Sequence, residues 1–210
     1  HVKSGNADLD NILGGGFPLK GNVSVSIDPN MNSKVVLAFL GQIISNFIST
    51  GNSVLCQYST ETDSNYLSSF LQASVPKKEG SNLFFINPRN NKAGKNTKGQ
   101  PMLTHLAAKI KNKNRGKLLL CVVFSDPSDG PAKNDNGQIP MSVGDLNIVV
   151  NTTPQNGMGD SRSQNSDVSI RFLEINGTLF MQSDTPWSHL YAMSIDNSNG
   201  YPAITLESMV

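Results

Sequence analysis

The charges that could do chemistry are bunched along this chain. Between Gly80 and Ser125 there is no Asp or Glu, yet Arg89, Lys92, Lys95, Lys98, Lys109, Lys111, Lys113, Arg115 and Lys117 supply nine of the 17 basic residues. Clustered Lys and Arg bind a nucleic-acid backbone by displacing its condensed counterions. The segment is therefore a candidate nucleic-acid surface, with Arg89, Lys92, Lys95, Lys98, Lys111, Lys113 and Arg115 as its contacts. A merely solvated surface is the competing reading, because the formal net charge of the whole chain is only +1.

Other reactive residue types are too dispersed to form a recognisable centre. His1, His105 and His189 are far apart and no C-x-x-C pair exists, so no zinc site and no other metal centre is expected. No G-x-S-x-G nucleophile elbow occurs. His105 sits between Leu103 and Leu106 in a helical pattern and reads as structural. Cys56 and Cys121 each lie in an apolar run, where cysteine behaves as a small buried hydrophobe. That reading implies free thiols and a reducing compartment, cytoplasmic or also nuclear. Trp187 and Tyr191 could stack on bases, but Trp187 fits a subunit interface better. No apolar stretch approaches the roughly 18 residues of a membrane span, so no membrane partner is expected.

The elements that must position these residues alternate. Asn22 to Ile27 interleaves Val and Ser as a strand, Asp28 to Asn32 reads as a turn, and Val35 to Ile48 is an apolar helical run stopped by Gly51. A strand at Ser53 to Tyr58, a helix from about Asp63 to Gln72, a strand at Leu83 to Ile86, a helix from Met102 to Lys113 and a strand at Leu118 to Phe124 follow. Strands and helices at this spacing predict βαβ units around a parallel sheet covered on both faces. The tail has a different pattern, in which Asn147 to Val150, Val168 to Glu174, Leu179 to Gln182 and Tyr191 to Ile195 read as strands, the tightest hairpin turning at Asn176-Gly177. The 210 residues suit one domain, with flexible loops at 87–100 and 127–145.

Ser4 to Lys20, SGNADLDNILGGGFPLK, resembles the opening segment of KaiC-like proteins of the RecA superfamily, in which an LD…LGGG stretch leads into the first core strand and its phosphate loop. The resemblance implies a three-layer α/β fold with a mostly parallel central sheet and antiparallel C-terminal strands. Counted onward without insertion, the family's G-x-x-x-x-G-K-[ST] loop falls on Asp28 to Val35. Only Lys34 survives from it. Asp28 and Ser33 replace the glycines whose amides wrap phosphate, and Val35 replaces the hydroxyl that holds Mg²⁺. A carboxylate about 4 Å from a phosphate charge is repulsive by roughly 4 kcal/mol at an effective dielectric near 20. Lys34 and Ser33 remain the only candidate nucleotide contacts, and no bound cofactor is expected.

Glu61 matches the carboxylate that activates water in KaiC-like and archaellum ATPases, although a Glu after a strand also serves as a helix N-terminal charge beside Thr60 or Thr62. The strand LLLCVVF lacks an acid directly at its end, because Phe124 and Ser125 precede Asp126. In these losses the chain is similar to the fourth subunit of the eukaryotic Elongator complex, a KaiC-like domain with a non-glycine loop. That likeness implies a non-catalytic subunit of a heterohexameric ring of homologous RecA-like subunits, binding tRNA and supporting wobble-uridine modification. Two alternatives stay open. An active KaiC-like or archaellum-type ATPase would use Lys34 and Glu61 with ATP and Mg²⁺, and a recombinase paralogue would bind single-stranded DNA through the polar run Thr152 to Gln164.

Overall fold

The computed structural model describes residues 1–58, 61–74, 82–86, 102–125, 143–152, 166–196, 198 and 202–209. Four helices, α1 (Ala7–Ile12), α2 (Ser33–Ser49), α3 (Glu61–Ser74) and α4 (Met102–Lys113), are interleaved with nine strands among these residues. The strands are β1 (Asn22–Ile27), β2 (Ser53–Gln57), β3 (Leu83–Ile86), β4 (Leu119–Ser125), β5 (Leu146–Thr152), β6 (Val168–Ile175), β7 (Thr178–Thr185), β8 (Tyr191–Asp196) and β9 (Ala203–Ser208).

All nine strands join one sheet in the order β3-β2-β4-β5-β1-β6-β7-β8-β9. Strands β3 to β6 of that order pair in parallel, and the last three joints are antiparallel. The expected class, a mostly parallel α/β sheet with antiparallel C-terminal strands, is what forms. Its physical basis is visible in β2 and β4, whose side chains are apolar on both sides. Val54, Cys56, Leu120 and Val122 join one core with α1, α2 and α3, while Leu55, Leu119, Cys121 and Val123 join a second core with Leu103, Ala107 and Ile110 of α4. In β1 the apolar positions Val23, Val25 and Ile27 enter the first core, and Ser24 and Ser26 alternate onto the other face.

The boundaries from periodicity hold to within about two residues except in the tail, where β7 extends to Thr185. Asn176 and Gly177 adopt φ of 51° and 78°, the pair of positive values that a two-residue hairpin between β6 and β7 requires. Two elements, α1 and β9, lie outside the expectations from sequence. They contact each other: the Asn6 side-chain amide donates to the Ile204 carbonyl at 2.7 Å, and the Asp8 carboxylate accepts from the Leu206 amide at 3.3 Å. These backbone groups point away from β8, so the opening segment covers the outer edge of the last strand. Unpaired strand edges invite pairing with other chains, and this cap blocks one.

The Gly14-Gly15-Gly16 run has a structural role in the same device. After α1 all three residues take positive φ, and a Cβ on Gly16 would lie 2.4 Å from the Val2 carbonyl oxygen. Only glycine lets the chain fold back closely enough for Phe17 and Val2 to exchange backbone bonds of 2.8 and 2.7 Å. Asp10, the acid of the LD…LGGG stretch, is buried and accepts the Ser4 amide at 2.8 Å.

Candidate functional site

The loop between β1 and α2 emerges at the carboxyl end of the parallel strands, where open α/β sheets place their ligands. Here it closes on itself. The Asp28 amide donates to the Phe172 carbonyl at 3.0 Å, and the Asp28 carboxylate accepts the Asn30 amide at 2.9 Å. Met31 then donates its amide to the Asp28 carbonyl at 3.0 Å and buries its side chain in the first core. Asn32 caps α2, its side-chain oxygen accepting the Lys34 amide at 3.0 Å.

The amides of Asn30, Met31 and Lys34 in this turn thus each have an acceptor supplied by the turn itself. An anion arriving at the start of α2 would have to displace an Asx oxygen to reach the Asn30 or Lys34 amide. Among the candidate nucleotide contacts, Lys34 is exposed and its ammonium stands 6.0 Å from the centre of the Tyr66 ring on α3. Ser33 is the first residue of α2. Glu61 begins α3, directly beyond the carboxyl end of β2. Asp126 and Thr60 lie outside the described residues.

At the opposite end of the sheet, α4 runs out and turns into β4. Leu103, Ala107 and Ile110 are the buried side of this helix, and Lys109 and Lys113 are exposed. Arg115 and Lys117 continue the exposed basic run through the turn that contains Gly116. Lys111 differs from its neighbours. Its ammonium is 3.2 Å from the Asp145 carboxylate, whose other oxygen accepts the Leu119 amide at 2.9 Å. Asp145 also takes the Lys20 amide on its backbone carbonyl at 2.6 Å, so Lys111 is tied into the junction that starts β4 and β5. Arg89, Lys92, Lys95 and Lys98 lie outside the described residues. Lys109 and Lys117, outside the expected contact set, belong with Lys113 and Arg115 by exposure; the acid-free sequence window already holds them.

The two cysteines are free and buried. In the β2–β4 register Leu55 faces Cys121 while Cys56 faces Val122, so the thiols project to opposite faces of the sheet. Burial pushes the Cys56 thiol far above the ordinary range, with Cys121 adding to it. Burial likewise pushes Cys121 up to about 12, with Lys111 pulling down and Asp145 pushing up. Neither is poised as a nucleophile.

His105 is half-buried on α4. Trp187 is 69% exposed, its ring edge-on to His189 with centroids 5.0 Å apart. Among the described residues no three His, Cys, Asp or Glu side chains gather as metal ligands, and no helix is long and apolar enough to cross a membrane. No protein-family model matches the chain, and no curated protein matches it.

Proposed function

We propose that the chain is a non-catalytic, RecA-like subunit of a hetero-oligomeric ring, of the kind found in Elongator, that binds tRNA and supports modification of its wobble uridine. The observation that carries this reading is the self-closed β1–α2 loop, in which Asp28 and Asn32 occupy amides that a phosphate group would need. Support for a three-layer RecA-like core comes from β1 lying between β5 and β6 in the parallel part of the sheet, with α2 and α3 against one core and α4 against the other. A domain that has filled its own anion cradle contributes surface and not turnover.

The test is nucleotide binding together with assembly. Titration calorimetry with Mg²⁺-ATP should give no heat of binding, and native mass spectrometry of the protein purified with its partners should give a ring of mixed subunits. Lys34→Ala should leave that assembly intact. Saturable ATP binding, with hydrolysis abolished by Lys34→Ala, would instead establish an ATPase that uses Lys34 and Glu61.

A further inference from the structure

The notable chemistry outside the β1–α2 loop is a group of cations with no ion-pair partner among the described residues. Lys109, Lys113, Arg115 and Lys117 are all exposed, and among the described residues none forms an ion pair. Lys109 and Lys113 stand one helical turn apart, about 6 Å along the axis, and so share one flank of α4. Arg115 and Lys117 extend the row past the helix end. A cation in the last turn of a helix complements the macrodipole, which accounts for Lys113. It does not account for Lys117, which lies beyond Gly116, nor for two like charges placed four residues apart, an unfavourable spacing when no partner is present.

We propose that this row is a landing surface for a nucleic-acid phosphate backbone at the amino end of the parallel sheet, acting independently of the β1–α2 loop. The proposal rests on the nucleic-acid part of the function above and assigns it a place. Lys113, Arg115 and Lys117 lie on the approach to the first residue of β4, whereas Asp28 to Asn32 follow the last residue of β1. A strand of six residues separates those two levels by about 20 Å, well beyond side-chain reach. The occupant is a polyphosphate chain because the row offers only cations. Lys and Arg gain affinity for such a chain by releasing its counterions, with no demand on sequence. Lys111 stays outside the surface, held by Asp145.

The test is fluorescence anisotropy with the full chain, using labelled tRNA and a single-stranded DNA oligomer over a salt series. Four phosphate contacts predict a slope of log affinity against log salt of about −2.8 to −3.6, a loss of roughly 50- to 150-fold between 50 and 200 mM salt. Lys109→Ala with Lys113→Ala should reduce that slope by about 1.4 to 1.8. Reversal of all four cations to Glu should abolish binding, while thermal unfolding shows that the exposed variant still folds. Lys111→Ala and Asn32→Ala should leave the slope unchanged.

Binding by the four-fold reversal as tight as that of the unaltered chain would overturn the proposal. So would the absence of salt-sensitive binding to either nucleic acid. Tighter binding to tRNA is the expected outcome, and preference for the DNA oligomer would keep the surface but replace its source. Ring assembly by native mass spectrometry is read separately on the same proteins: loss of the ring with the slope intact removes the subunit reading alone.

Discussion

The two ends of the parallel strands treat charge in opposite ways. At the carboxyl end, the side chains of Asp28 and Asn32 accept the Asn30 and Lys34 amides of the β1–α2 loop. At the amino end, Lys109, Lys113, Arg115 and Lys117 project from α4 and its turn, and none of the described residues neutralises them. A loop whose own side chains occupy its amides offers fewer donors to an anion, whereas cations with no partner among the described residues can exchange mobile counterions for a polyanion. Where topology alone would place a phosphate group the Asn30 and Lys34 amides are already occupied, and the surface proposed for phosphate lies at the other end.

Substitutions can challenge that contrast, beginning with one that touches neither end. Gly41 of α2 faces Phe70 of α3 so closely that an added Cβ would lie 2.5 Å from the ring. Gly41→Ala should destabilise the domain by about 1–3 kcal/mol through overpacking, read as a lowered denaturant midpoint. The salt slope per folded molecule should not move; a change there would mean that α2 packing reaches the basic row. Asn32→Ala removes the α2 cap and should cost about 1 kcal/mol, or about 2–4 °C in Tm. If it also allowed ATP to bind, the closed loop would be the sole barrier to nucleotide.

Lys111→Ala removes a pair whose partners are only partly buried, and should cost less than about 1 kcal/mol. A larger loss would show that the Lys111–Asp145 pair carries the β4–β5 junction. The smallest effect at neutral pH concerns Cys56 and Cys121, both buried as neutral thiols. Their folded values lie above those of the unfolded chain, so the unfolded state gains by ionising first as pH rises. Stability should be unaffected below about pH 8 and should decline between about 9 and 12. A Cys56→Ala, Cys121→Ala double variant should flatten that decline, and neither native thiol should react with a maleimide until the domain unfolds.

Local pattern makes much of this molecule readable. The Val and Ser alternation of β1, the doubly apolar β2 and β4, and the Asn176-Gly177 turn each state their own conformation, because side-chain period and turn chemistry act over a few residues. The six residues of α1 are too few to develop a helical period, and it stands on the Asn6 cap and its contact with β9. Strand β9 is different: Ile204 and Leu206 alternate inward with Ala203, Thr205 and Glu207, a period of two that the adjacent Pro202 obscures. The basic window is likewise plain in the sequence, but the separation of Lys111 from its neighbours is not. Its partner Asp145 is 34 positions away and is brought near only by the parallel pairing of β4 with β5. The same holds for Asn32, which in the sequence occupies an unconstrained position of the loop and in the folded chain accepts the Lys34 amide at the start of α2.

The bond between residues near opposite extremes of the chain also has a temporal consequence. Asn6 and Asp8 hold Ile204 and Leu206, 198 positions later in each case. During synthesis these side chains must wait for nearly the whole domain to emerge before they meet their partners, so the rim of the sheet is sealed last. A proteolytically nicked molecule lacking residues 1–12 would keep a bare strand and should self-associate, a defect that a short peptide copying those residues could suppress when supplied in trans.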